Sequence, residues 1–359
     1  MITCVGEVRV ARRHYRCARC GCAALLAVRT PLDAWAGLES GHLSPRARRL
    51  VALAGSTWSF DVASERLKEM CHLRVSDQTV RRVSDAAGEQ ARQWMEASAK
   101  PVEAFERAEG QVEFYTDGTM VNTRSGWREM RLGLFSKRPA GEAASVQQWA
   151  DRHLPDPTAR LTYARFATSA QVGDLIGGTA HRLNLDRGRD VSALGDGALW
   201  IWKQTREHLP DAEQTLDVYH LREHLFDTAG ALYGQGSEAS SQWVQSQFMT
   251  LRGEGSKRYL HDHLIPQTRQ AKADGPSGDY EALRAWSQYV WSNRGRLHYA
   301  DRLARGLPIG SGQVEGACKT VVGRRLKLNS ARWRPERAEH IAALTCLQYG
   351  DLWKAYWEN

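Results

Sequence analysis

The sequence predicts an α/β protein, a central mixed sheet flanked by helices, with a helical region ahead of it and a helical insertion inside it. Three observations carry this. Past Pro101 the apolar period changes from helical to strand-like, with short β-type runs over residues 112–116, 127–135, 161–166, 191–194 and 214–218. Residues 189–216 read strand, helix, strand. Between about Leu221 and Arg305 the strand signal disappears, and Trp243, Phe248, Tyr259, Leu260, Leu283, Trp286, Tyr289 and Val290 fall at helical spacings.

The chain ahead of the sheet divides in two. Residues 1–40 form a small basic module, strand-like over residues 7–12 and cationic through Arg9, Arg12, Arg13, Arg16 and Arg19. Its Cys17-Ala-Arg-Cys20-Gly turn has the shape of one zinc knuckle, whereas a structural zinc takes four ligands, usually from two such pairs. Cys4, Cys22, His14 and His42 stand at no spacing that completes it, so the module reads as a partial zinc ribbon. Residues 41–105 read as helices. Ser44-Pro45 is a cap followed by a first-turn proline, a second helix spans roughly 62–71, and the turn 72–76 leads to a third helix capped by Ser76 with Val80, Val83 and Ala87 inward. This is the helix-turn-helix pattern, with Gln78, Thr79, Arg81 and Arg82 where a recognition helix reaches bases and phosphates. A plain bundle with a solvated basic face gives the same pattern. The insertion, 223–305, is broken by a loop over residues 272–279.

The 359 residues carry 49 Lys and Arg against 41 Asp and Glu, a formal charge of +8. That excess favours a polyanionic partner without deciding the fold. No stretch approaches the eighteen or so apolar residues of a membrane span, and the first residues lack the blocks of a signal peptide. The expectation is a cytoplasmic, nucleoid-associated protein whose seven cysteines are reduced.

Three acids stand out. Asp117 closes a strand in Phe-Tyr-Thr-Asp-Gly-Thr119, and Asp196 closes another in Ala-Leu-Gly-Asp-Gly-Ala198. In each a glycine follows, as if the chain turned sharply and left the carboxylate at the sheet's edge, although either Asp-Gly alone is explained by an ordinary turn. Glu315 follows Pro-Ile-Gly-Ser-Gly-Gln-Val314, with Ser311 as helix cap, and sits at the margin of a stripe made by Val314, Cys318, Val321 and Val322, near Lys319. An exposed glutamate favoured by the helix dipole explains that position too. Three carboxylates without a thiolate or imidazole cluster suit hard cations, Mg²⁺ above all, and two such ions serve phosphoryl transfer. Between Arg302 and Arg337 the sequence holds nine cations against two acids, and Lys319, Arg324, Arg325 and Lys327 among them are expected to hold DNA phosphates.

The blocks Tyr-Thr-Asp-Gly-Thr119, Gly-Asp-Gly-Ala-Leu-Trp-Ile-Trp202, Leu-Asp-Val-Tyr-His-Leu-Arg-Glu-His-Leu225 and Pro-Ile-Gly-Ser-Gly-Gln-Val-Glu-Gly-Ala-Cys-Lys319 resemble those of ISKra-type bacterial insertion-sequence transposases, over nearly the whole chain. The resemblance implies an RNase H-like sheet (residues 106–222 and 306–359) and a DDE triad of Asp117, Asp196 and Glu315 holding two Mg²⁺ or Mn²⁺ ions. It also implies double-stranded DNA partners, the element's terminal repeats and target DNA, and a homo-oligomer when two ends are synapsed. Asp217-Val-Tyr-His220 is similar to the Asp/Cys-x-x-His signature of the wider Mutator-like group, which puts His220 beside the active site. A core histidine explains it equally, and Asp217 rivals Asp196 as second metal ligand. Family members usually begin with an earlier Cys-x-x-Cys pair, so the resemblance leads us to expect one upstream of Met1 or a truncated element. Two other readings stay open: a non-catalytic helix-turn-helix DNA-binding protein or decayed transposase remnant, and an RNase H-like nuclease that cuts without joining.

Overall fold

The computed structural model describes residues 1–4, 6–9, 42–186, 190–275 and 278–358. After a short antiparallel pairing of Ile2–Thr3 with Gly6–Glu7 come three helices, α1 (Pro45–Thr57), α2 (Phe60–Cys71) and α3 (Asp77–Ala97). Ser44 and Ser76 cap α1 and α3 as the sequence predicts, each accepting a backbone N–H three residues on, at 3.3 and 3.2 Å. The left-handed His72 ends α2, and Leu73 after it is buried with Val51, Ala63, Leu67 and Val80 in a core shared by the three helices. A short helix, α4 (Lys100–Arg107), leads to the sheet.

The sheet has five strands: β1 (Gln111–Thr123), β2 (Gly126–Arg138), β3 (Ala159–Arg165), β4 (Val191–Gly195) and β5 (Glu213–Leu216). Their order is β3-β2-β1-β4-β5. The pairs β1–β2 and β2–β3 are antiparallel, and β1–β4 and β4–β5 are parallel. Helices α5 (Ser169–Arg182) and α6 (Leu199–His208) supply the crossovers that parallel strands require. Alternation gives the sheet two apolar faces. Val112, Phe114, Phe135, Val191 and Ala193 pack against α5 and the far half of α3. Tyr115, Met130, Leu132, Leu134 and Leu194 pack against the chain after residue 312.

Beyond β5 the chain is helical: α7 (Val218–Tyr233), α8 (Glu238–Glu254), a run over residues 256–273 that includes a π-helical stretch and α9 (Ile265–Ala273), then α10 (Gly278–Asn293) and α11 (Tyr299–Ala304). Tyr259, Leu260, Trp286 and Val290 form one core with Ile201, Trp202 and Leu216, so the insertion is seated on α6 and β5. The chain returns through α12 (Gly312–Ala317), a π-helical turn (Cys318–Gly323), α13 (Pro335–Tyr349) and α14 (Trp353–Trp357). Among the described residues no helix is long and apolar enough to cross a membrane.

One expectation is overturned. The chain does not turn after Asp117: β1 runs on to Thr123 and pairs along its length with β2, through a turn at residues 124–125. At Gly118 the Glu129 side chain lies across the ladder, close to where a Cβ would stand. Gly197 does turn the chain, with φ +98°, just past β4.

Candidate active site

The register of three parallel neighbours sets three aspartates in a row. Tyr115 pairs with Leu194, and Leu194 with Thr215. Two residues further along the chain in each case, Asp117, Asp196 and Asp217 stand level, Asp196 and Asp217 just past the ends of β4 and β5 and Asp117 midway along β1. Asp117 shares the face of Tyr115, on which α12 packs through Val314 and Ala317. Glu315 therefore rises on a helix seated over the face to which Asp117 belongs.

The three aspartates differ in what their oxygens hold. Asp217 is buried and caps α7: its Oδ1 accepts the N–H groups of Tyr219 and His220, at 2.6 and 3.0 Å. Its Oδ2 accepts the backbone N–H and the hydroxyl of Ser311, the latter at 2.5 Å. Four donors fill the acceptor capacity of this carboxylate, whereas Asp196 keeps an oxygen clear of backbone donors. The four contacts also explain why Ser311 does not cap α12 with its side chain, as the sequence suggests: its hydroxyl faces Asp217.

Asp117 and Asp196 each commit one oxygen to a nearby backbone N–H, Gly118 at 2.7 Å and Ala198 at 2.9 Å, and keep the other. The other oxygen of Asp117 accepts from the Cys318 thiol at 3.9 Å. That of Asp196 lies 3.8 Å from Nε2 of His220, whose Nδ1 is 3.0 Å from Glu223. Burial raises the Asp117 pKa above the usual carboxylate range; the Gly118 N–H opposes this, and the charges of Asp196 and Glu315 add to it. Glu315 is half-exposed, 4.0 Å from Lys319. The acids thus feel one another, although among the described residues no three His, Cys, Asp or Glu side chains stand close enough to hold one metal ion as placed.

Sequence reasoning missed two neighbours of these acids. The Cys318 thiol is pushed up to about 12 by burial and then by Asp117, which makes it a neutral wall of the site. Tyr289 reaches in from α10; burial and the charges of Asp196 and Asp217 raise its phenol. Its hydroxyl lies 3.3 Å from where a Cβ on Gly197 would stand. In the sequence Tyr289 is only one more aromatic at helical spacing.

Of the residues expected to meet DNA, Gln78, Arg81 and Arg82 are exposed at the start of α3, and Thr79 is half-buried with its hydroxyl 3.1 Å from that of Ser76. Arg81 lines a cleft of about 440 Å³ together with Arg124, Arg332 and Arg334. Lys319, Arg324 and Lys327 are exposed, and Lys327 reaches the Thr119 hydroxyl at 2.5 Å. Arg325 is a correction: it is buried between the rings of Phe60 and Trp333 (4.7 and 4.8 Å) and donates to Gly55 O at 2.9 Å. It ties α1 and α2 to the body of the protein and is not available to a phosphate. Cys17 and Cys20, with His14 and Cys22, lie outside the described residues; Cys4 is half-buried against the three-helix core. Comparison of the sequence with protein families and with curated proteins finds no match to either.

Proposed function

We propose that the chain is a DNA transposase of the DDE type, with Asp117, Asp196 and Glu315 as its catalytic acids on an RNase H-like sheet. The observation that carries the reading is the level placement of Asp117 and Asp196 on adjacent parallel strands, with Glu315 on a helix packed over the face to which Asp117 belongs. The strand order, three antiparallel strands continued by two parallel ones, is consistent with an RNase H-like sheet.

The donor set fits Mg²⁺ or Mn²⁺. It offers carboxylate oxygens, two of them not fully committed to the protein, and a repulsion that a cation would relieve. Divalent ions bound there would supply the charge that stabilises an in-line phosphoryl transfer. The chain's own residues do the rest. Asp117 and Asp196 hold fixed positions because each is anchored through one oxygen to backbone. Glu315 is carried into place by the Asp217–Ser311 tie. His220, beside Asp196, orients that carboxylate or meets a DNA oxygen. Lys319, Arg324 and Lys327, just past the glutamate, hold phosphates of the bound strand. Gln78, Arg81 and Arg82 read the element's ends, and two synapsed ends call for a homo-oligomer.

The looseness of the three acids as placed favours one second reading, a DNA-binding remnant without chemistry. Purified protein with labelled element-end DNA in Mg²⁺ or Mn²⁺ separates the two. Wild type is expected to nick and then join strands, and Asp196→Ala to bind without cutting. Equal nicking by Asp196→Ala refutes the assignment of that acid, and binding without any nicking by wild type leaves the remnant. Cutting without strand transfer of pre-cut ends identifies a nuclease.

A further inference from the structure

We infer that a cleft lined in part by the start of the Glu315 helix binds phosphate, and that it grips the backbone of a nucleic-acid strand led toward the acids. The inference rests on the nucleic-acid reading above and adds to it residues from a segment that carries no motif. The cleft, of about 440 Å³, lies between the chain leaving β2, the start of β3 and the Gly310–Gln313 approach to α12. Arg138, Arg152 and Arg160 line it from three places in the chain, with Asp156 the acid among them.

The three guanidiniums differ in how far they are neutralised. Arg138 is paired with Glu113 at 3.2 Å and donates to Pro155 O at 2.7 Å. Arg160 lies over the Tyr349 ring at 5.0 Å, and its Nε finds no acceptor among the described residues. Arg152 has a buried Nη1 that likewise finds none. Burial, then the nearby charges of Arg302 and Arg138, hold the Arg152 guanidinium below its ordinary pKa, so it stands among like charges in a partly desolvated place. Buried donors without acceptors and cations without a matching acid are costly unless something supplies both. A phosphate does, with several acceptor oxygens and a full negative charge in the geometry a guanidinium fork recognises.

The volume exceeds one phosphate ion and suits a stretch of backbone. The cleft wall at Gly310–Gln313 is also the segment that places Glu315, so a strand held here is held relative to the acids. Free phosphate has the same chemistry and no reason to be sited beside that helix.

The test is fluorescence anisotropy of a labelled dT20 oligonucleotide, with inorganic phosphate titrated separately. Arg152→Gln and Arg160→Gln are made one at a time and each is checked for an unchanged melting temperature, so that a variant that misfolds is replaced by the other. Each is expected to weaken dT20 binding about tenfold, and to lower the slope of log K against log salt by about 0.7, one single-strand phosphate contact. Unchanged affinity and slope in both variants overturns the proposal. So does a protein in which millimolar phosphate binds the cleft while dT20 binding ignores both arginines. Asp196→Ala keeps dT20 binding, so the readout is independent of the chemistry: a cleft that binds in a protein that never nicks refutes the transposase reading alone.

Discussion

The Oδ2 of Asp217 accepts both the backbone N–H and the hydroxyl of Ser311, 94 residues later in the chain. The contact fastens the loop before α12 to the sheet's edge, beside a backbone bond from Val218 N to Ile309 O of 3.0 Å. The two aspartates at this edge should therefore fail differently. Asp217→Asn replaces an oxygen facing a donor with an amide N–H₂ and removes the charge from four hydrogen bonds, at a cost of about 3 kcal/mol. Asp196→Asn changes a half-exposed side chain with one backbone bond, and stability stays within about 0.5 kcal/mol. Urea melts read both. On the proposed function nicking is lost in each variant, but only Asp217→Asn lowers the unfolding midpoint. Equal midpoints would mean that the Ser311 tie holds nothing.

A second prediction concerns pH. The folded-state pKa of Asp117 is raised, so the folded protein binds that proton more tightly than the unfolded chain does. The ionised carboxylate consequently subtracts stability above its folded pKa, and the penalty fades as pH falls through that value toward the ordinary carboxylate range near 4. Asp117→Asn should raise the melting temperature at pH 7–8 by roughly 1–3 °C, a gain of the kind seen when active-site repulsion is removed. The gain should shrink toward zero near pH 4. Millimolar Mg²⁺ or Mn²⁺ should raise the melting temperature of wild type by mass action and leave that of the variant in place. A gain that persists at low pH, or a wild type indifferent to both ions, contradicts this account.

The contrast between the two Asp-Gly pairs shows what the sequence could and could not convey. Both acids were legible from their Asp-Gly context, but only Asp196 follows the end of its strand; Asp117 lies midway along β1, level with it. The glycines mean different things: Gly197 turns the chain at φ +98°, whereas Gly118 lies within a continuing strand opposite Arg131, beside the Glu129 side chain. Capping serines and the apolar faces of helices were readable for a local reason: their partners lie within a turn or two. The Asp217–Ser311 tie, the Tyr289 approach and the burial of Arg325 depend on elements far apart in the chain. Arg325 sits in a run of cations and is distinguished only by Phe60 and Trp333 closing over it.

That burial yields a third prediction. Arg325→Ala removes two ring contacts and a hydrogen bond from a desolvated place and should cost about 2–4 kcal/mol. Arg325→Lys should not restore it, because an ammonium lacks the plane that stacks between the rings. Arg324→Ala, one residue away and exposed, should leave the melting temperature alone and lower the salt slope of duplex binding by about 0.9. Calorimetry and a salt titration on both variants check the pair. If Arg325→Ala melts like wild type while binding DNA more weakly, the arginine is a DNA contact after all.

The last prediction concerns Glu113, a buried carboxylate at the start of β1. It accepts from Tyr115 Oη at 3.0 Å, Ser136 Oγ at 3.3 Å, Arg138 Nε and Gln313 Nε2. Gln313 lies two residues before Glu315, so this network is a second tie between the sheet and the helix that carries the third acid. Removing only the tie, in Gln313→Ala, should cost about 1–2 kcal/mol and, on the proposed function, lower kcat more than it raises KM, since the lost contact places the proposed third acid and binds no substrate. Gln313→Glu should be worse at neutral pH, because it sets a second carboxylate against Glu113 in a buried site. Two carboxylates so close cannot both stay ionised, and one takes up a proton at a raised pKa. The folded state then gains a proton that the unfolded chain lacks, so the defect of Gln313→Glu should ease as pH is lowered from 8 to 5, with a protonated carboxyl donating where the amide did. A pH series of urea midpoints for the two variants decides it: parallel curves would show that residue 313 does not touch Glu113 in solution, and converging curves at low pH would place the tie where the structure has it.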